Sequence, residues 1–373
     1  MLEVKEVQTE KNMDNFVKFP FTLYKNDPYW VPSIIRNEKQ SFHPSNEIFN
    51  EVTAHFYLAY RDNKIVGRIA TIINWEEVNN LKKKKVRFGW FDFIDDIEVA
   101  KALLQKAEDL AKKHQLTYVE GPMGFSNMDK AGMLTEGFDY LPTMIGLYNY
   151  EYYPKHMISL GYRPEASWVE YLMDIDNLGK VNEISRIGKI IEKRFNVRVM
   201  KFKNSKDLVQ HADELFNLLN KTYADLQSFV PISADQVEHY KKKYLKFIHP
   251  DFVVCIENEE KKMVAFAITM PSFSKAYQKT KGRLFPFGWW HLLQALRKNN
   301  HAEFYLIGID PAYQNKGLHA LIFRDLYRNF RARGIETMET NPLLEENIKV
   351  QQLWKDFSPK IHKKRSTFRK DIN

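Results

Sequence analysis

The chain reads as an α/β protein with mixed sheets, one strand–helix plan used twice. Strand-like and helix-like runs alternate along the whole chain, the mark of sheets with helices packed on them. Two hairpin-like stretches far apart in sequence are each followed by the same series of strand, amphipathic helix and strand. The 373 residues, 44% hydrophobic and 28% charged, suffice for two folded cores and exclude a disordered chain.

The elements follow in chain order. The opening MLEVKEVQTEKNMDN has no apolar signal core, so secretion is not expected and a cytoplasmic location is. Phe19 to Pro32 is dense in aromatics and proline. His55–Tyr60 and Ile65–Ile73, joined by a polar turn, predict the first hairpin. A strand is expected from Val86 to Phe93. Val99, Leu103, Ala107, Leu110 and Ala111 share one helical face, and a strand follows from Leu116 to Glu120. A boundary near Asp176 to Lys180 divides the chain into halves 1–178 and 179–373. In the second half, Phe252–Glu257 and Met263–Met270 predict a hairpin, with the lone Cys255 as a small core residue. Glu303–Ile309 reads as a strand and Leu318 onward as a helix, stopped by Gly334 before the strand Ile335–Thr340. Between them, Pro271 to Asn300 is a strongly apolar insertion, expected to pack against the first half or to wall a pocket for a long acyl chain or a greasy amine.

Several function classes drop out. No apolar run is long enough to cross a bilayer. The histidines show no paired metal spacing and one cysteine cannot build a zinc site, so no metal is expected. A P-loop and a Gly-x-Ser-x-Gly elbow are absent. The net charge of +9 suits polyanions of any kind, a phosphorylated cofactor included. Lys82 to Lys85, the one basic run, is expected to be a solvated hairpin loop.

The stretch Leu306 to Tyr327 carries the chemistry. A strand, a turn with Gly317 and an amphipathic helix follow one another, with Leu318, Leu321, Ile322, Leu326 and Phe330 on one face. Such a helix start leaves backbone N–H groups unpaired at the positive end of the dipole, a site for phosphate or pyrophosphate.

Ile309-Asp310-Pro311-Ala312-Tyr313-Gln314-Asn315-Lys316-Gly317-Leu318 resembles the coenzyme A pyrophosphate loop of the GNAT superfamily of N-acyltransferases. Gln314 and Gly317 match its pattern; His319 stands where glycine or alanine is usual, and Ala320 follows one place late. The N-terminal aromatic segment, Gly121-Pro122-Met123 and Gly282–Trp289 resemble a group of tandem GNAT-like proteins, so the resemblance covers nearly the whole chain. It implies two tandem GNAT-like domains, and acyl transfer from acetyl-CoA or another acyl-CoA to a small-molecule amine. By the same resemblance, Gln314, Asn315, Lys316, Gly317, Leu318, His319 and Ala320 hold the pyrophosphate, and Ile307, Gly308 and Ile309 line the thioester. Asn347, Val350, Leu353 and Trp354 resemble the family's Asn, Ala, Leu, Tyr series. Asn347 then meets the pantetheine arm or caps its own helix, and Trp354 stands where many members place a tyrosine that protonates the thiolate. An indole is no acid at working pH, which leaves that role to water or to a tyrosine such as Tyr305 or Tyr313.

Glu303, eleven residues before Gln314, resembles the catalytic glutamate of several GNAT enzymes and is the candidate general base; the competing reading is a surface glutamate paired with a lysine or arginine. Strand alternation puts Glu303, Tyr305, Ile307 and Ile309 on one face if no bulge intervenes. The first half lacks a glycine before its helix, and Asp95 and Asp96 place carboxylates where a pyrophosphate would sit, so the cofactor is expected in the second half. Two other functions fit the same scaffold: a non-catalytic acyl-CoA or metabolite-binding protein, and an aminoacyl-tRNA-dependent transferase. The Gln314–Gly317 loop argues against the latter, and nucleic acid is not an expected partner.

Overall fold

In the computed structural model, residues 1–372 are described except 127–128, 180, 225–231, 233–236, 239–240 and 242–247. Lys180, at the edge of the expected boundary, therefore lies outside the described residues. The described strands are β1 (Leu2–Glu6), β2 (Val52–Arg61), β3 (Lys64–Asn74), β4 (Lys85–Phe93), β5 (Tyr118–Gly121), β6 (Met133–Glu136), β7 (Arg163–Asp174), β8 (Arg198–Val199), β9 (Val253–Glu257), β10 (Met263–Pro271), β11 (His301–Ile309), β12 (Thr337–Thr340), β13 (Leu343–Leu344) and β14 (Lys360–Asp371). They join one mixed sheet in the order β1-β2-β3-β4-β5-β14-β7-β12-β11-β10-β9-β8, with β6 attached to β14 and β13 to β7.

That order mirrors itself about its centre. The hairpins β2/β3 and β9/β10 correspond, as do the parallel pairs β4/β5 and β11/β12. Each parallel pair needs a crossover, and the helices Ile97–Lys113 and Leu318–Arg333 supply it. The expected use of one plan twice is thus visible strand by strand. At the centre the halves interleave. β7, from the first half, pairs with β12, while β14, from the second, pairs with β5. The two long strands also pair with each other.

Both crossover helices form where the apolar spacing places them. Asp96 caps the first by accepting from the Glu98 and Val99 N–H groups, and Val99, Leu103, Ala107, Leu110 and Ala111 are buried. Leu318, Leu321, Ile322, Leu326 and Phe330 are all buried on the second, each worth about 2 kcal/mol of apolar burial. Gly334, at φ 71°, ends it. Cys255 lies in the core as expected, and burial pushes its thiol pKa up.

Lys85 corrects the expectation of a solvated lysine loop. It opens β4 and is buried, with Nζ 3.0 Å from Glu120 and 3.3 Å from Glu77. Two carboxylates facing the strand start draw it inward. The insertion forms two helices, Ser274–Thr280 and Gly288–Arg297. The first packs on the opening half of the chain: Ser274 Oγ donates to the Pro142 carbonyl at 2.7 Å, and Gln278 Nε2 to that of Pro28 at 2.7 Å.

Candidate active site

β11 carries the candidate base to the candidate cofactor turn, and its neighbours open a gap beside it. β11 and β12 pair only from His301/Thr337 to Phe304/Thr340. Beyond that point β11 runs on to Ile309, whereas the other chain turns away and pairs as β13 with β7. Parallel strands that part in this way leave one edge of Tyr305–Ile309 without a strand partner.

A bulge sits at the point of parting. Ile268 faces Leu306 and Thr269 faces Phe304, so Tyr305 is an extra residue in β11. The expected single face through Ile309 is corrected accordingly: strict alternation breaks at Tyr305. Glu303 and Tyr305 stay on one side, because the Tyr305 hydroxyl donates to Glu303 Oε2 at 2.9 Å.

Glu303 is completely buried. The Met144 N–H donates to Oε2 at 3.3 Å. Oε1 has no well-formed hydrogen bond, although the Ser272 hydroxyl is near enough to act on the carboxyl. No ion pair reaches this carboxylate among the described residues, which removes the surface-pair reading. Burial, then the charge of Glu339, pushes its pKa up to about 7, against the pull of Ser272, Tyr305 and Met144. Tyr305 is raised as well, by burial and then by Glu303, so it stays protonated and donates.

Glu339 behaves in the opposite way. Burial works against its charge, but the Lys363 ammonium, 2.9 Å away, and the rings of His301 and His362, at 3.0 and 2.9 Å, hold its pKa well below the usual carboxylate range. Lys363 also pairs with Glu170 at 2.9 Å, and Arg365 with Glu170 at 2.6 Å. Glu170, Glu339 and His362 lie close enough together to share a cation. Lys363 already supplies the positive charge there.

Two cavities are walled in part by neighbours of Glu303, which itself lines neither. One, of about 360 Å³, is walled by Arg68, Trp90, Asp92, Tyr153, Met144 and Tyr277. The other, about 1200 Å³, has Ser272, Lys275, Trp290, Leu293, His301 and Glu339 on its walls. Met144 of the first cavity, and Ser272 and Glu339 of the second, are among the groups that act on the carboxyl. Neither cavity is lined by the Gln314–Ala320 turn.

The turn itself follows the end of β11. The Ile307 carbonyl accepts from the Tyr223 hydroxyl at 3.1 Å. Gly308 has no room for a side chain: a Cβ there would lie 2.4 Å from the Phe266 ring. The Ile309 carbonyl accepts from Gln314 Nε2 at 3.4 Å. Asn315 and Gly317 both have positive φ, 61° and 81°, and this reversal starts the helix without a side-chain cap. The N–H groups of Asn315, Gly317 and Leu318 have no partner among the described residues. Ala320 differs: its N–H bonds to the Gly317 carbonyl at 2.9 Å and its side chain is buried. His319 is half-buried in the first turn. Lys316 holds its Nζ 4.7 Å from the Tyr313 ring centre and 5.4 Å from that of Phe195.

Asn347 stands apart. Its Oδ1 caps the short helix Ile348–Gln352 by accepting from Val350 N–H at 3.2 Å, and no hydrogen bond links it to the turn among the described residues. Trp354 is fully buried against Phe304 and Phe323. Its indole N–H is buried and has no hydrogen-bond partner among the described residues.

In the first half the corresponding helix start is filled. Asp96 caps it and pairs with Arg61, and Asp95 meets His156 at 2.7 Å.

Solved structures share this fold. A tandem GNAT protein from the clavulanic acid biosynthesis pathway superposes over 100% of this chain and 99% of its own, with a TM-score of 0.57 at 8% identity. The fold is that of a tandem GNAT protein. A GCN5-related glucosamine N-acetyltransferase region of a fungal β-N-acetylglucosaminidase matches 99% of this chain and 38% of its own (TM-score 0.58, 12% identity). A GCN5-related N-acetyltransferase from Sphaerobacter thermophilus matches 100% and 96% (TM-score 0.51, 8% identity). In sequence, the chain is 25% identical to Protein YghO of Escherichia coli, over 99% of this chain and 95% of that one. It is 24% identical to the bacterial ceramide synthase of Caulobacter vibrioides, over 84% and 82%. No family model matches it.

Glu339, Lys363, Met144 and Ser272, which tune the candidate base, escaped the sequence reading. Glu339 is the one charge of the short β12 and Lys363 one of several cations in β14, and their pairing joins the two strands across the sheet. The bare sequence held no signal for it.

Proposed function

We propose that this protein is an acyl-CoA-dependent N-acyltransferase acting on an amine, with Glu303 as general base. One observation carries the reading. A buried carboxyl with its pKa near 7 and no ion pair among the described residues stands on the strand that leads to a turn of amides unpaired among those residues. A proton acceptor poised near the working pH is what a neutral-pH base requires.

The turn fits a coenzyme A diphosphate in the second half. Asn315, Gly317 and Leu318 offer N–H groups at a helix start, Lys316 adds a positive charge, and the carboxylate-filled start of the first half offers neither. Six steps along the strand, about 20 Å, separate Glu303 from Ile309. A ligand that reaches both needs a long arm, and the gap beside Tyr305–Ile309 gives pantetheine a path. Acyl-coenzyme A supplies the acyl carbon as a thioester; as the amine nitrogen bonds to that carbon the carbon–sulfur bond breaks, and coenzyme A leaves as a thiolate that takes a proton from water. Glu303 takes the proton from the amine. Tyr305 holds the carboxylate by its hydroxyl, and Met144 fixes the same oxygen through its backbone.

The larger cavity supports an apolar acceptor. Trp290 and Leu293 line it, and the Caulobacter relative is named a ceramide synthase, a ceramide being the amide of a long-chain amino alcohol. We take an amphiphilic amine as the acceptor class, with acyl groups from acetyl upward as donors.

The test is the pH profile of acyl transfer from acyl-CoA to long-chain amino alcohols by the wild type and Glu303→Gln. Wild-type kcat/KM should rise with pH to a plateau above about 7. The variant should lose about a hundredfold or more and the inflection with it. A variant that keeps both rate and inflection sinks the assignment.

A further inference from the structure

The second helix of the insertion is poorly covered by the rest of the protein. Of Gly288–Arg297, only Gly288 is buried. Phe285 and Phe287, in the turn before it, are 73% and 74% exposed, Trp289 and Trp290 43% and 46%, and Leu293 37%. Five large apolar side chains exposed within nine residues make a patch that water alone does not explain.

Charge identifies what covers it. From Pro271 to Asn300 the chain has six basic residues, Lys275, Lys279, Lys281, Arg283, Arg297 and Lys298, and no aspartate or glutamate. All six are exposed, and none is in an ion pair among the described residues. Buried cations elsewhere are matched, as with Lys85, Lys363 and Arg365, whereas this segment gathers its exposed cations with no acidic residue among them. Tryptophan and phenylalanine flanked in sequence by exposed cations are the composition of a surface that lies in the headgroup region of an anionic membrane.

We propose that the Phe285–Leu293 patch docks this protein on an anionic lipid bilayer. The aromatic side chains enter the headgroup boundary and the six cations meet lipid phosphates. The attachment is peripheral, since no described helix is long and apolar enough to cross a membrane. The patch also adjoins the larger cavity, where Trp290, Leu293, Lys275 and Arg297 form part of the wall. If the amphiphilic acceptor proposed above is correct, it enters that cavity directly from the bilayer; docking itself does not depend on that reading.

The experiment is co-sedimentation of the full chain with vesicles of phosphatidylcholine alone or mixed with phosphatidylglycerol, at low and high salt. Binding should require phosphatidylglycerol and fall with salt. Phe285→Ser with Phe287→Ser should abolish it, and both sites are exposed enough to leave folding intact. Lys279→Gln with Arg283→Gln should weaken it about fivefold per charge removed. Tryptophan emission should shift to the blue on the mixed vesicles. No binding to the mixed vesicles, or binding that both double variants retain, overturns the proposal. So does a lipid-free dimer that the phenylalanine substitutions dissociate, because the patch then belongs to a second copy. None of these readings involves acyl transfer, so failure here leaves the proposed reaction standing.

Discussion

A carboxyl that titrates near 7 in a closed site costs the fold something whenever it ionises. Its pKa rises on folding from 4.5 to about 7, so the stability it contributes is complete below pH 4.5 and is lost as the pH climbs through 7. At about 1.4 kcal/mol per unit the difference is on the order of 3 kcal/mol. Glu303→Gln keeps an acceptor for the Tyr305 hydroxyl and the Met144 N–H but cannot ionise. It should therefore melt close to the wild type at pH 5 and several degrees above it at pH 8. Equal melting temperatures at both pH values would mean that the wild-type carboxyl is not held protonated. The gain in stability should accompany a loss of turnover, as expected where function needs a destabilised group. Sequence placed Glu303 among the candidates through its strand and its distance from the turn. Its burial was not readable there, because the groups that enclose it, Met144 and Glu339, come from segments far away in the chain.

At the scale of elements, the turn into the Leu318–Arg333 helix depends on Gly317. Its φ of 81° costs an alanine about 1 kcal/mol. The added Cβ would meet Ile191 Cδ1 at 2.9 Å, the end of a side chain that can move aside. Gly317→Ala should therefore fold, with a modest loss of stability. The amides of Gly317 and Leu318 would be displaced, and losing even one bond to a charged phosphate should weaken coenzyme A binding about tenfold or more. Calorimetric titration with free coenzyme A measures this, and an unchanged affinity would move the diphosphate elsewhere. The helix and both hairpins were readable because their signals are local: apolar residues three or four apart, or alternating between turns. The Tyr305 bulge was not. The residues on either side of it are hydrophobic in the same way, and the extra residue shows only when β10 is laid beside β11.

The whole molecule depends on two strands that lie away from the elements that precede them in the chain. Lys360-Ile-His-Lys-Lys-Arg-Ser-Thr-Phe-Arg-Lys-Asp is dense in cations, yet β14 lies at the centre of the sheet with Lys363 and Arg365 wholly buried. Periodicity assigns such charges to the surface, and only the opposing Glu170 and Glu339 make their burial tolerable. The repeated plan was thus visible in the sequence and the interleaving was not. A cut at 178 keeps β7 with the first half but removes β14 from between β5 and β7, and it deprives the second half of β7 beside β12. Glu170 would lose Lys363 and Arg365, and those cations would lose Glu170. Removing one side of a buried pair costs about 3–5 kcal/mol, a large share of the stability of a typical domain. Residues 1–178 and 179–373 expressed separately should each be unfolded or aggregated. Co-expressed, they should assemble and recover the protection of β7 and β14 amides from hydrogen exchange. The intact chain should melt in one calorimetric transition, with no separate step for either half. Two resolved transitions, or a soluble first half with native-like exchange protection, would show that the exchanged strands do not bind the halves into one cooperative unit.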